Sequence, residues 1–581
     1  MKHSLWIPTV LGTAILAACG GGGDDATTTP VTDTTPTTPA ALALSGVAAT
    51  GAAIGGKTVE AKCASGTGSA TSNADGSYTI SVTSGSLPCV LKITPDSGPA
   101  LYSVATGSGS TATANINPVT QLVIASLTGT DPDAYFTGFD TTAAAAVTSA
   151  KVTDAVSAVK TTLLAAGLDL GSIDVLAGTL TPATTTTTGN AYDQALDALA
   201  AKLASAGTTL ADLTATVAAG STTSTPTVAV ATSATPSLPA ELLLKPAATN
   251  CAALRSGSYQ VVFPTPGQPL AAQYGKISVD AGTLAIVYTD GSTGAWSANG
   301  SCRYVDETGK SDIVVSPAGV IVARSYDTTT AAYTLAFGFP AQTHTPVELE
   351  GTWNTLGMEY DATAAVYVGN TASGTFSASG TLSDVSSCMN ASTWSVATCT
   401  TQTSAYPTFQ VNADGGFDVI AAGASVASGR TFAYRSGSGD LMMVNIDADG
   451  SFEVRTKQRT NDLPAVGRVS TSWDLRFTNK WLGTPALGES TNTVTAVDSA
   501  AGSFARLAKT VGGTDEHLET VLINNPRNGY NYRAAATVTG TDGTTVVNVS
   551  EWNNLGLRGM GLNALLRPGQ KQFMFSVQQP S

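Results

Sequence analysis

Beyond residue 245 the chain is a long succession of short apolar alternations with almost no helical period, and this pattern limits its fold more than any other feature. Tyr259, Val261 and Phe263 alternate, as do Phe452 and Val454, and Phe573, Phe575 and Val577. Successive side chains of a strand point to opposite faces, so such alternation marks strands with one buried face. The signals recur roughly every 10 to 15 residues. Gly, Asp-Gly and Asn-Gly separate them, as in DADG 447–450, TDG 541–543 and RNG 527–529. Many short strands joined by local turns imply an antiparallel meander over residues 246–581. Unpaired edges invite aggregation, so the meander is expected to close as a barrel or paired barrels, with a propeller or a large sandwich as alternatives. The expected fold class is mainly β and multidomain.

The other end of the chain fixes the expected address. Lys2 and His3 precede an apolar run from Leu5 to Leu16, and Ala17 and Ala18 lead to Cys19. That is the layout of an export signal, and its dozen or so apolar residues fall short of the ~20 a membrane helix needs. Leu16-Ala17-Ala18-Cys19 resembles the lipobox of bacterial lipoproteins. The resemblance implies removal of residues 1–18, a diacylglycerol on the Cys19 sulfur and an acylated new amino terminus. Gly20, where Asp would signal retention, is similar to lipoproteins passed on to the outer membrane of a Gram-negative bacterium, facing the periplasm or the exterior. Several acyl chains together make a lasting anchor where one does not, so the first partner is a membrane, held through covalent lipid. No other cofactor is called for. Gly20–Gly23 and the Thr/Pro-rich stretch after them read as a flexible tether over residues 19–40, able to reach about 60 Å.

The net charge of −14 comes without any basic cluster, which argues against a nucleic-acid partner. Assigning Cys19 to lipid leaves Cys63, Cys89, Cys251, Cys302, Cys388 and Cys399. An exported chain meets an oxidising compartment, where these can form disulfides. Six cysteines admit many connectivities, and pairing between sequence neighbours is the expectation. No C-x-x-C and no paired histidines suggest a metal site.

Residues 41–115 read as a small β-sandwich. LSGVAATGAAIGGKTVEAKC (44–63) leads to SNADGSYTISV (72–82), where Asn73 to Gly76 is expected to close a hairpin and Tyr78, Ile80 and Val82 share a face. This stretch resembles the carboxypeptidase-regulatory-like domains, which implies a seven-stranded prealbumin-type sandwich serving as spacer or binding unit. Residues 116–218 read as helical. Asn117 is placed to cap a helix that Pro118 opens. Val152, Val156, Val159 and Leu163 form one stripe, and Tyr192, Leu196, Leu199 and Leu203 another, capped by Asn190 and ended by Gly207. The two stripes are expected to bury each other as a helical hairpin. Residues 219–245 then form a Ser/Thr/Pro linker.

Sharp chemistry is scarce. The exported chain would hold two histidines, His344 and His517, and there is no G-x-S-x-G elbow, which disfavours a serine hydrolase. His517 lies beside Asp515, Glu516 and Glu519, a grouping that reads as a solvated turn. The turns at 73–78, 412–417 and 447–452 share Asn/Asp-Ala-Asp-Gly and an aromatic. An EF-hand reading of 445–456 fails for want of a closing glutamate, since Thr456 stands there, so hairpins with a buried aromatic are expected. Glu348 and Glu350 flank GTWN 351–354, whose Gly-x-Trp resembles the opening of lipocalin-type barrels. Trp353, and Arg430, Phe432 and Tyr434 on one strand face, with Arg435 on the other, are the candidate ligand contacts, because cations and aromatics together hold planar or anionic groups. No catalytic residue and no metal ligand is assigned. The expectation is a lipid-anchored envelope protein that binds, adheres or assembles, with an envelope protein or polysaccharide as partner. The alternatives are an anchored hydrolase of an extracellular polymer, which needs a cleft with converging carboxylates, and a lipocalin-like carrier, which needs an empty apolar barrel.

Overall fold

The computed structural model describes residues 41–580 apart from 222–237, 391, 404, 485, 514 and 515. The signal, Cys19, the tether, Asp515 and most of the Ser/Thr/Pro linker lie outside the described residues.

Seven short strands open the described chain: β1 (Leu42–Val47), β2 (Thr58–Ser65), β3 (Thr67–Thr71), β4 (Ser77–Val82), β5 (Ser86–Ile93), β6 (Leu101–Ala105) and β7 (Thr111–Thr113). They form a three-stranded sheet, β4-β1-β7, facing a four-stranded one, β3-β2-β5-β6. Leu44, Ile80, Val59, Leu91 and Ile93 fill the space between. The turn at Asn73–Gly76 is present, with Gly76 at φ 81°, but it does not close a two-stranded hairpin. β3 and β4 belong to different sheets, because Ile80 and Val82 on β4 pack across the core toward Gly68 on β3. Pairing of β2 with β5 sets Cys63 opposite Cys89.

The helices are α1 (Pro118–Thr128), α2 (Pro132–Thr137), α3 (Thr141–Ala146), α4 (Ser149–Ala165), α5 (Ala191–Ala206), α6 (Leu210–Gly220) and α7 (Ala240–Leu243). Asn117 caps α1 through the amides of Val119 and Thr120, and Asn190 and Gly207 bound α5. The expected two-helix hairpin is corrected by α1. That helix is buried on nearly every face and receives both α4 and α6. The stripes on α4 and α5 therefore join one core around α1. A helix buried all round, with Thr120 and Gln121 hydrogen-bonded inside, offers several packing faces where an amphipathic one offers a single stripe. The far end of the linker is corrected as well, since Leu238, Leu242 and Leu244 are buried and α7 packs on α4 and α6.

The remainder is mainly β, as its alternation predicts. A first closed barrel runs through eight strands from Gly257–Val262 to Ala332–Pro340, and a second through eight strands from Val469–Thr478 to Gln572–Gln578. Between them lies a nine-stranded sheet that the sequence did not distinguish from a barrel. In the first barrel Ile277, Val279 and Ile286 are buried while Lys276, Ser278 and Val287 are exposed, so the apolar set fills the interior. Turns at 412–417 and 447–452 close true hairpins in the nine-stranded sheet, with Phe417 and Phe452 fully buried. The three β units share one aromatic junction. Phe337 of the first barrel, Phe452 of the sheet, and Trp481, Phe573 and Phe575 of the second barrel meet there, mostly edge to face.

Candidate functional site

The nine-stranded sheet curls until one end meets the other. Leu382 N donates to Pro407 O at 3.2 Å and Phe409 N to Gly380 O at 2.9 Å. Strong local bending is permitted by Gly357, where a Cβ would collide with the Phe452 carbonyl, and by a bulge between Ser373 and Thr375. The outer face carries Leu356, Met358, Phe452 and Val454 into the core shared with the barrels. Alternation therefore turns Trp353, Thr355 and Glu359 of strand Gly351–Asp361, and Glu453 and Arg455 of strand Phe452–Lys457, into the concavity.

Its closed end is apolar, with Trp353, Phe376 and Phe409 in edge-to-face contact. A cavity of about 550 Å³ is lined by both this end and the open end, which is polar. There Asn370 Nδ2 donates to Glu359 Oε1 at 2.6 Å and to Glu453 Oε1 at 2.8 Å, so one amide bridges two carboxylates. Arg455 Nη2 pairs with Glu453 Oε2 at 2.6 Å. Thr431 Oγ1 donates to Asn445 Oδ1 at 2.7 Å, and Asn445 Nδ2 to Asp447 Oδ1 at 3.1 Å. Burial first, and then the Glu453 charge, push the Asp447 carboxyl up to about 7. Glu359 is shifted upward for the same two reasons, although it stands at the rim in contact with water. A concave wall that carries a carboxyl near its titration point beside the side-chain amides of Asn370 and Asn445 can both donate and accept hydrogen bonds at neutral pH.

A slightly larger groove of about 630 Å³ separates the helices from the first barrel. Several of its polar groups pair with one another. Gln342 Nε2 donates to Glu241 Oε1 at 3.3 Å, His344 Nδ1 meets Glu348 Oε1 at 3.1 Å, and Arg435 Nη2 reaches the same oxygen at 2.9 Å. Burial opposes it, but hydrogen bonds from His344, Thr345 and Arg435 hold Glu348 well below the usual carboxylate range. This network joins units across the groove, whereas the polar groups of the curled-sheet cavity converge on open space, so the cavity is the better candidate.

The candidate ligand contacts fall elsewhere than expected. Trp353 is 1% exposed, donates from Nε1 to Leu349 O at 2.6 Å and belongs to the apolar floor. It opens a strand of the curled sheet and not a lipocalin-type barrel. Phe432 and Tyr434 are buried against the first barrel, where Tyr434 donates to Ala318 O at 2.6 Å. Arg430 pairs with Asp418 and donates to Tyr274 Oη. These three share one strand face as read, but that face is an internal seam, so they are corrected from ligand contacts to packing residues. His517 faces Glu519 at 3.6 Å inside the second barrel, not in a solvated turn. Disulfides join Cys63 to Cys89, Cys251 to Cys302 and Cys388 to Cys399. Glu359, Asn370, Asp447, Glu453 and Arg455 were missed in the sequence. The run FEVRTK 452–457 carried the signal, an alternation in which the polar positions looked outward but both faces are enclosed.

No family model and no curated protein matches the chain. Among solved structures, a protein of unknown function from the DUF3598 family of Nostoc punctiforme aligns at 9% identity and a TM-score of 0.15, over 41% of this chain and 100% of that one. Transferrin binding protein B from serogroup B Neisseria meningitidis aligns at 9% identity and a TM-score of 0.18, over 53% of this chain and 66% of that one. A surface lipoprotein aligns at 10% identity and a TM-score of 0.15, over 39% of this chain and 98% of that one. Similarities this low carry neither fold nor function, which rest on the geometry above.

Proposed function

We propose that the chain is a non-enzymatic binding module of the cell envelope, acylated on Cys19 and held away from the outer membrane by residues 19–40. The sandwich over residues 41–115 serves as a spacer, in keeping with its two facing sheets. The curled-sheet cavity is the binding site. The observation that carries this reading is a concavity of about 550 Å³ lined by polar side chains such as Asn370, Asp447 and Glu453 together with the aromatic rings of Trp353 and Phe409, in a domain whose first barrel is filled by its own apolar residues. That filling argues against an apolar carrier. Amides and carboxylates that both donate and accept suit a hydroxyl-rich ligand such as an envelope polysaccharide.

Two measurements test this. Cys19→Ser is expected to release the chain from membranes in soluble form, and continued membrane retention would remove the anchor. Saturable binding of purified envelope polysaccharide to the full chain, weakened at least about tenfold by Glu453→Gln, is expected at the cavity. Equal binding by the variant would move the site elsewhere. A second reading, an anchored glycoside hydrolase, is favoured by one observation, the bridging of Glu359 and Glu453 by one amide beside a carboxyl near 7. Release of reducing ends that Glu453→Gln abolishes would establish that reading in place of the first.

A further inference from the structure

The second barrel is built the other way round from the first. Trp473, Leu475 and Phe477 leave its wall to join the shared core, which turns Asp474 and Arg476 inward. Leu562, Ala564 and Leu566 do the same on strand Leu562–Arg567, two strands along the wall, and turn Arg567 inward. Four guanidinium groups, those of Arg476, Arg506, Arg533 and Arg567, thus share the interior. Arg506 Nε donates to Glu519 Oε1 at 2.5 Å, Arg533 pairs with Glu519 Oε2, and both stack on the Trp552 ring. Ser550 ties the groups to one end: its carbonyl accepts from Arg533 at 2.6 and 3.0 Å, and its hydroxyl from Arg567 at 3.0 Å. Burial lowers Arg533 to about 10 despite Glu519, and Arg506 and Arg567 lower it further, as charges crowded together do.

The charges do not balance. Glu519 is fully engaged by two arginines. Asp474, the second interior carboxylate, lies 3.7 Å from Arg476, too far for a hydrogen bond, and burial pushes its carboxyl upward. Arg476 Nε and both His517 ring nitrogens are buried without a hydrogen-bond partner. Among the described residues four arginines thus face two carboxylates, and the surplus of two positive charges in a partly enclosed space is an arrangement that a bound anion relieves. The hairpin of strands Ala536–Thr539 and Val546–Val549 leaves from Arg533, returns to Ser550, and is pinned by Thr541 N to Glu516 O at 2.9 Å.

We propose that this end of the second barrel binds a phosphate group, with Arg476 and Arg567 as its ligands beneath the hairpin. Guanidinium forks match the oxygens of a phosphate in paired hydrogen bonds, which a point charge does not do. The phosphate is either free in solution or carried on a lipid headgroup of the envelope.

The test uses the full chain. Inorganic phosphate is expected to raise the unfolding temperature saturably at constant ionic strength, where sodium chloride does not. In Arg567→Gln and in Arg476→Gln the phosphate response is expected to weaken about tenfold or more. Without phosphate these variants are expected to be as stable as the parent or more so, since one of several crowded positive charges is gone. Lys276→Gln, on the exposed face of the first barrel, retains the response. Sedimentation of the Cys19→Ser chain with phosphatidic acid vesicles, but not with phosphatidylcholine vesicles, identifies a headgroup source. Response to inorganic phosphate without vesicle binding identifies the free anion. No saturable response to phosphate, or an undiminished one in Arg567→Gln, overturns the proposal.

Discussion

Replacing Phe452 with alanine tests whether the three β units form one cooperative core. The ring is fully buried and lies 6.0 Å from Phe337 in the first barrel, 5.3 Å from Trp481 and 6.2 Å from both Phe573 and Phe575 in the second. Truncating a buried phenylalanine costs about 3–5 kcal/mol, more where the surroundings cannot collapse into the gap. Here the walls are three separate sheets, each fixed by its own ladder. Edge-to-face contacts add about 0.5–1.5 kcal/mol per pair, though they do not sum independently. A loss of about 4–5 kcal/mol is expected. A chain of this size need not unfold in two states, so the assay is native-state hydrogen exchange read on each unit, alongside urea unfolding. Strands Ile321–Asp327 and Gln572–Gln578 are expected to lose protection together with Phe452–Lys457. A loss under about 1 kcal/mol, or faster exchange confined to the curled sheet, would refute the shared core.

Asp447→Asn is expected to flatten the dependence of stability on pH. The carboxyl titrates near 7 in the fold against 3.8 ordinarily, so between those values the folded chain holds a proton that the unfolded chain has released. Stability therefore falls as pH rises through this window. Allowing for water in the cavity, the variant is expected to exceed the parent by about 1–2 kcal/mol at pH 8, and urea unfolding across pH that leaves the slope unchanged would contradict this. Removing the Cys251–Cys302 disulfide, which spans 51 residues, is expected to cost about 4 kcal/mol, against about 3 kcal/mol for Cys388–Cys399, which spans 11. Paired Cys→Ala variants compared by urea unfolding check the order. Asn117→Ala removes the cap of α1 and the bond to Tyr192 Oη at 2.8 Å. A loss of about 2 kcal/mol is expected, and unchanged amide exchange in α1 would contradict it.

Local chemistry was legible where a single residue enforces a local geometry. Asn117 and Asn190 cap the helices they were read to cap, because a short acceptor must meet free amides at a helix start. The alternation at Phe452 and Val454, and at Phe573, Phe575 and Val577, marked strands for the same local reason. The Asn73–Gly76 turn shows where this stops. Its backbone is fixed locally, but whether its flanking strands pair with each other or with different partners depends on what faces them across a core.

The sequence by itself determined that the chain from 246 onward is a set of short antiparallel strands with local turns, since strand period and turn residues act over a few positions. Only the tertiary structure decided which face of each strand is inside. Arg430, Phe432 and Tyr434 share a face in any strand, yet that face is a seam because the first barrel covers it. Asp447 and Glu453 are neighbours on one hairpin, but Glu359 joins them only because strand Gly351–Asp361 pairs with the distant strand Phe452–Lys457. The arginines of the second barrel turn inward because its apolar set is claimed by the neighbouring units. Alternation tells two faces apart, but burial of each depends on contacts among residues distant along the chain, and those exist only after packing.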